Sequence, residues 1–481
     1  MTRSTVQKGA ETQTLDTAVV LTTTDLFSGT ARVAQDSVGP VTSVGGLSLF
    51  LRTVLTLQRA GFSQVVALVG NEEQALKRSV RGDSRVSCVI RWRPVREFPP
   101  EDPLTWEALA SEVKGPCLVI GRQTVFSVAL AERLRRDVHE SHIGLVVSTL
   151  GEHADQEAAE QPVVKLREGH LLTFRDALEE ESSGARQGIS VVADLVVLPS
   201  GMLRISGNAA LSHSTPLRAM IEQAVSDGQV RPIRTSPDCS YWVESVRNPA
   251  EASRAERALL QPRKGELEGF VDTYFNRKVS GALTRLFLKA GLSPNAITAL
   301  SMLIGLLAAG SFALGSYGAG VLGAILFQLS AIIDCCDGEV ARLTFRESQF
   351  GEQLDITADN IVHAAIFAGI AWAVYFKDGA GSGSWLPLAL GGAAMLAVGL
   401  SQWQVIRAKA LQEKKVWSHP AQGARVKFIL NNMATRDFSV LLLLFALVDK
   451  LNWFLWLAAI GSNLFWLMMA WVTRPSTISR A

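Results

Sequence analysis

The sequence predicts two structural classes in one chain, an α/β domain followed by an all-α six-helix transmembrane domain. Two observations carry this. Residues 1–264 mix charged, polar and apolar positions, and short apolar runs with strand character alternate there with helical stretches. From Asn295 onward the chain consists of long apolar runs broken by short polar segments, and most of its tryptophans lie there. At 481 residues the chain exceeds what one hydrophobic core ordinarily organises, so a division into domains is expected from length as well.

In the first half, TAVVLTT (17–23), QVVALVG (64–70), CLVIG (117–121), IGLVVST (143–149) and ISVVADLVVLP (189–199) read as buried strands. Helical stretches near 46–60, 127–138 and 214–226 alternate with them, which predicts a mostly parallel sheet covered by helices on both faces. The opening residues hold no apolar core of signal-peptide length, so a cytoplasmic placement is expected. A formal net charge of +2, with no broadly basic half, argues against a nucleic-acid partner. Five scattered cysteines without metal-ligand spacing read as reduced thiols.

Residues 265–294 form the junction. Phe275, Val279, Leu283, Leu286 and Phe287 recur at helical spacing, with Arg277, Lys278, Arg285 and Lys289 among them. This pattern predicts an amphipathic helix in the lipid headgroup layer; a buried helix of the soluble domain is the alternative.

In the second half, residues 295–481, six stretches approach the ~20 apolar residues that a bilayer core requires: 295–315, 318–337, 355–376, 385–404, 437–449 and 452–472, the fifth being short. Arg342 and Arg346 lie in the 338–352 connection, and seven basic residues lie between Arg407 and Arg436, whereas the opposite loops are nearly devoid of them. The positive-inside tendency therefore places both termini and the 338–352 connection in the cytoplasm of an integral cell-membrane protein.

Charged side chains within a spanning segment are costly and mark function. Here Asp334 and Asp337 end the second span, and Asp355 and Asp359 begin the third. Spacings of three and four put each pair on one helix face, and the short connection lets the faces meet. Carboxylates so close repel unless cations lie between them, and hard oxygen donors suit Mg²⁺, Mn²⁺ or Ca²⁺. Gly338, Ala341 and Gly351 leave room for a bulky diphosphate, and Arg342 offers a fork of donors to phosphate. The alternative is a purely structural acid cluster neutralised by Arg342 and Arg346.

These residues match the signature D-x2-D-G-x2-A-R-x8-G-x3-D-x3-D at every fixed position: Asp334, Asp337, Gly338, Ala341, Arg342, Gly351, Asp355 and Asp359. On them the chain resembles the CDP-alcohol phosphotransferases, and LSPNAIT (292–298) is similar to the segment that opens the first span in that family. The resemblance implies transfer of a phosphoryl alcohol from a CDP-linked donor to an acceptor hydroxyl, with release of CMP. It implies two divalent ions, Mg²⁺ or Mn²⁺, held by Asp334, Asp337 and Asp355. Asp359 supplies a further ligand or acts as general base, and Asp334, Gly338, Ala341, Arg342 and Gly351 receive the donor. NRKVS (276–280) and TRDFSVLLLL (435–444) resemble the branch acting on inositol phosphate, often fused to a cytidylyltransferase. Arg436 is the candidate ligand for a phosphorylated acceptor; glycerol phosphate, serine and choline are the other acceptors. A homodimer is compatible with this reading.

VGPVTSVGGLSLFLRTVLTLQRAGFSQVVALVG (38–70) is similar to the early part of sugar-phosphate nucleotidyltransferases. Much of the chemistry that this resemblance calls for is replaced. Only Gly29 and Arg32 suggest the phosphate loop, Gly39 stands for the lysine before Pro40, GRQ (121–123) replaces the metal-binding aspartate, and Glu244 stands where an aspartate is usual. The expectation is a degenerate nucleotidyltransferase-like, Rossmann-like domain that does not transfer nucleotides.

Overall fold

The structure, a computed structural model, describes residues 15–27, 38–113, 115–138, 141–149, 162–167, 170–176, 189–203, 215–235, 240–260, 277–379, 384–413 and 438–472. The chain divides into two compact units, Met1–Lys264 and Gly265–Ala481.

The first unit runs β1 (Thr17–Leu21), β2 (Ser43–Val44), β3 (Leu47–Ser48), α1 (Leu49–Arg59), β4 (Gln64–Val69), α2 (Glu73–Arg81), β5 (Val89–Pro94) and α3 (Pro103–Glu112). It continues with β6 (Cys117–Ile120), β7 (Thr124–Phe126), α4 (Val128–Arg136), β8 (Ile143–Thr149), β9 (Pro162–Arg167) and β10 (His170–Asp176). β11 (Ile189–Leu198), α5 (Pro216–Ser226), β12 (Val230–Arg234), β13 (Val243–Ser245) and α6 (Pro249–Leu260) complete it. All five predicted strands and all three predicted helices form.

The sheet is parallel through β5-β4-β1-β6 and again between β8 and β12. The long strand β11 enters antiparallel between β6 and β8 and also pairs with β9. Its antiparallel direction is not legible in a continuous apolar run, because a strand buried on both faces reads the same either way. β1 shows the two-faced burial directly. Ala18 and Val20 pack with Phe50, Val54, Leu57, Leu130 and Leu134 from α1 and α4, while Val19 and Leu21 pack with Trp106, Leu109, Leu217 and Ile221 from α3 and α5. Successive side chains of a strand point to opposite faces, so one apolar run feeds two cores.

The second unit holds α7 (Arg277–Lys289), α8 (Pro294–Ala313), α9 (Tyr317–Leu343), α10 (Gln349–Val374), a π turn (Tyr375–Gly379), α11 (Leu386–Glu413), α12 (Phe438–Leu447) and α13 (Leu451–Val472). Among the described residues, five of these helices are long and apolar enough to cross a membrane, against the six expected. The 10 described residues of α12, at about 1.5 Å each, reach half the bilayer core. Residues 414–437, which precede it, lie outside the described residues.

The unit is that of a multi-pass membrane protein: Leu303, Leu307, Leu322, Ile325, Leu396 and Leu464 stand more than half exposed, a surface that only lipid covers favourably. The helices approach closely where glycine removes the side chain. A Cβ on Gly305 of α8 would lie 2.6 Å from Val362 of α10, and one on Gly369 of α10 would meet the backbone carbonyl of Ala309.

α7 packs against the bundle rather than standing alone. Phe287 is buried with Ile297, Ile333, Cys336 and Val340, and Leu283 packs against them, while Val279 and Leu286 remain exposed. The helix is thus amphipathic, with its apolar residues shared between protein and outside. Phe275 and the side chains of Arg277 and Lys278 lie outside the described residues. Cys88, Cys117, Cys335 and Cys336 are free thiols, and Cys239 is not among the described residues.

Candidate active site

The acid motif spans the end of α9 and the start of α10. α9 continues unbroken through Asp334 and Asp337 to Leu343, and Ser348 then caps α10 by accepting from the Gly351 N–H at 3.0 Å. Five residues between the helices suffice to turn the chain, so the two acid pairs are adjacent for a local reason. Carboxylate oxygens of Asp334, Asp337 and Asp355 lie within 4.8 Å of one another. Asp334 and Asp337 are buried, and Asp355 is half-buried.

Asp359 is not a member of this group. It stands half-buried one turn further along α10, where its backbone carbonyl accepts from the His363 ring at 2.8 Å. Three of the four predicted metal ligands are therefore brought together, and the fourth is set apart.

The fit to a hard cation follows from the donor set. Two oxygens on opposite sides of an ion are about 4.2 Å apart for Mg²⁺ and about 4.6–5.2 Å apart for Ca²⁺, taking twice the metal–oxygen distance. A separation of at most 4.8 Å among three carboxylates falls at this scale. Without positive charge, two buried carboxylates and a third beside them would be costly to hold ionised.

The arginines do not supply that charge. Arg342 and Arg346 are exposed, and neither forms an ion pair with a described residue. The guanidinium of Arg342 lies over Gly338, with Nη1 3.9 Å from where a Cβ would be, and no other neighbour among the described residues is found within 4 Å of that point. Gly338 thus differs from Gly305 and Gly369: among the described residues, no neighbouring helix fills the space above it. Gly351 sits more tightly, where a Cβ would lie 3.1 Å from Ser348 Oγ and 3.4 Å from Asn295 Oδ1. Ala341 is half-buried.

Several residues at the site escaped the sequence reading of individual roles. The hydroxyl of Thr298 donates to Asp337 Oδ2, and Ser301 Oγ lies 3.4 Å from Asp334 Oδ1 while donating at 2.8 Å to the Thr298 carbonyl. Asn295 and Thr298 both belong to LSPNAIT, so this segment meets both halves of the acid motif. Glu339, inside the motif, is buried and accepts from Ser280 Oγ at 2.9 Å and Thr284 Oγ1 at 2.6 Å. Those hydroxyls are four apart on α7, so the junction helix is fastened to α9 two residues from Asp337. Hydroxyl residues at helical spacing on an otherwise apolar face were the available signal. Arg436 and the basic residues from Lys414 to Lys427 lie outside the described residues.

In the first unit, GRQ (121–123) follows β6 as predicted. Arg122 Nε donates to Asp25 Oδ1 at 3.2 Å, so a guanidinium stands where the resemblance calls for a metal-binding carboxylate. Asp194 lies beside them on β11, and Gly121 makes room for it, since a Cβ there would lie 2.8 Å from Asp194 Cβ. Burial, and then the charge of Asp25, push the Asp194 carboxyl well above the usual range, to about 8, against the opposing pull of Arg247 and Arg122. Gln123 is buried with a left-handed φ of 62°, a strained conformation for a residue with a side chain. The Gly39 N–H donates to Thr42 Oγ1 at 3.1 Å. Gly29 and Arg32 lie outside the described residues.

Residues 292–474 match the family model described as CDP-alcohol phosphatidyltransferase. The chain is similar to a bifunctional IPC transferase and DIPP synthase of Aquifex aeolicus, 25% identical over 363 residues, covering 75% of this chain and 78% of that protein. The corresponding protein of Rubrobacter xylanophilus is 28% identical over 371 residues, covering 76% and 79%. Both alignments are longer than the second unit, so they extend into the first. An archaetidylinositol phosphate synthase of Pyrococcus horikoshii is 35% identical over 122 residues, covering 23% of this chain and 63% of that protein. Among solved structures, the inositol-1-phosphate CTP transferase from T. maritima covers 51% of this chain and 96% of its own, at 15% identity and a TM-score of 0.39.

Proposed function

We propose that this chain, an enzyme whose residues 292–474 are a CDP-alcohol phosphatidyltransferase domain, transfers a phosphoryl alcohol from a CDP-linked donor to inositol phosphate and releases CMP. The observation that carries the reading is the convergence of Asp334, Asp337 and Asp355 from two consecutive helices beside an arginine lying over Gly338.

Asp334, Asp337 and Asp355 would hold divalent ions, Mg²⁺ or Mn²⁺, which when bound neutralise charge on the donor diphosphate and the CMP leaving group. Thr298 fixes one carboxylate of that set by its hydrogen bond to Asp337. Arg342 binds donor phosphate through its planar fork, and Gly338 and Ala341 let the donor lie against α9. Asp359 accepts the proton of the attacking hydroxyl. Its place one turn away from the three-carboxylate group favours a base over a further metal ligand. The acceptor oxygen then forms the new P–O bond as the bond to CMP breaks.

Inositol phosphate is favoured by the sequence segments 276–280 and 435–444 and by the similarity to an archaetidylinositol phosphate synthase. Arg436 is the proposed ligand for the acceptor's own phosphate. The basic residues of the 338–352 and 407–436 connections support placing the first unit and the carboxylates on the cytoplasmic side of the cell membrane.

The ion pair of Arg122 with Asp25 supports reading the first unit as inactive in nucleotidyl transfer. A second reading, that it makes the CDP-linked donor, is favoured by the extent of the alignments to two bifunctional relatives. The purified full chain, given CDP-inositol or CDP-diacylglycerol with Mg²⁺ or Mn²⁺ and a panel of alcohols, should release CMP, and mass spectrometry should find the inositol phosphate product. No CMP with any pair sinks the reaction class. CMP with serine or choline but not inositol phosphate, unchanged by Arg436→Ala, rejects the acceptor alone.

A further inference from the structure

The end of the bundle remote from the carboxylates holds a cavity of about 280 Å³. α8 ends there and α9 begins, the π turn after α10 passes by, and the connection from α12 to α13 closes it. Its polar lining includes Ser316, Tyr317, Lys377, Asp449, Lys450 and Asn452.

Position along α9 places this cavity in the membrane. Tyr317 and Asp337 lie on one unbroken helix, 20 positions apart, a rise of about 30 Å, the thickness of a bilayer core. The aromatic residues agree: Tyr317, Trp372, Phe376, Trp385 and Trp453 are each more than half exposed around this end, as in a belt at a membrane–water interface. The cavity therefore opens at the interface opposite the carboxylates.

The charges in it are unequal. Lys377 and Asp449 form an ion pair at 3.1 Å. Lys450, the next residue, forms no ion pair or side-chain hydrogen bond with any described residue. Two helix N-termini (α9 and α13) and three C-terminal ends (α8, α10 and α12) meet here, so the helix ends leave about half an elementary negative charge, less than one side-chain charge. Among the described lining residues, Lys377, Asp449 and Lys450 leave one net positive charge. The backbone departs from regular geometry at the same residues: Lys377 lies on the π turn and Asp449 has φ of 52°. Such departures persist where the surrounding structure holds them, and they concentrate at binding sites.

We propose that this cavity binds a phosphate group at the membrane face opposite the catalytic carboxylates. Lys450 is its direct ligand, and Asp449 holds Lys377 within reach. The phosphate comes either from a phospholipid headgroup of that leaflet or from free phosphate in solution, and one cation with neighbouring hydroxyl and amide groups suits both.

The test uses the purified full chain in mild detergent. Native mass spectrometry counts bound phosphatidylglycerol, with phosphatidylcholine as comparison, and a parallel titration with inorganic phosphate follows thermal unfolding. Lys450→Gln should weaken one of the two probes at least tenfold, Lys450→Arg should restore it, and Arg407→Gln, at the other membrane face, should leave it unchanged. Loss of phosphatidylglycerol identifies a headgroup site; loss of the phosphate-induced shift identifies a site for the free ion. Equal binding by wild type and Lys450→Gln for both probes overturns the proposal. So does an equal loss in Arg407→Gln, which would show general attraction of lipid to basic residues.

Discussion

The Thr298 hydroxyl on α8 donates to Asp337 Oδ2 on α9, which ties the opening of the first span to the acid motif. A carboxylate held this way keeps one orientation for a cation, and loss of such outer partners typically costs about 10–100-fold in metal affinity or activity. Thr298→Val should therefore raise the Mg²⁺ or Mn²⁺ concentration needed for half-maximal activity by about that factor, whereas Thr298→Ser should stay near wild type. An unchanged metal requirement in Thr298→Val would show the bond to be incidental.

Asp334→Asn, Asp337→Asn and Asp355→Asn should each abolish activity and weaken divalent-ion binding, because the neutral amide removes charge from a set within 4.8 Å. Isothermal titration with Mn²⁺ and CMP-release assays check this on folded, membrane-inserted protein. Wild-type turnover in excess chelator would contradict it.

Asp359 stands apart from that set, so its substitution should behave differently. Asp359→Asn should lower kcat by about 10²–10⁴-fold while leaving Mn²⁺ affinity and donor KM nearly unchanged. A loss of metal affinity comparable to that of Asp355→Asn would make Asp359 a ligand instead.

The first unit holds Arg122 where its resemblance to nucleotidyltransferases calls for an acid. The full chain carrying Asp334→Asn, which cannot consume a CDP-linked product, should make no CDP-inositol from CTP, inositol phosphate and Mg²⁺. Product that disappears on adding Glu244→Ala would establish the second activity.

Asp194 makes the stability of the first unit pH-dependent. Its carboxyl keeps its proton to about 8 in the folded chain, against 3.8 for the unperturbed group. Between these values the native state binds the proton that the unfolded state has lost, so this contribution is complete at low pH and declines as pH rises towards 8. Asp194→Asn should escape the decline. The Tm difference, variant minus wild type, should grow from pH 5 to 8 and then level off; a difference that shrinks over that range would reverse the assignment.

The strand runs of residues 17–199 carried the sheet, since an apolar run of strand length between polar turns has few other uses. The direction of β11 was not legible, because pairing partners lie far apart in sequence and burial on both faces erases the alternation that would distinguish them. An apolar run also marks affinity for lipid without fixing where a helix starts.

At the site, sequence by itself determined the acids, the small residues and the arginine, because their spacing along two consecutive helices is local and a short connection must bring them together. Only the tertiary structure decided which acids share one space and which stands a turn away. It alone showed that, among the described residues, no helix packs over Gly338 while Gly305 and Gly369 admit neighbouring helices, since a glycine looks the same in both settings. The partners of Thr298 and Glu339 lie 39 and 55–59 residues away. Hydrogen bonds of that kind depend on distance in space, which helix packing sets and no residue spacing records.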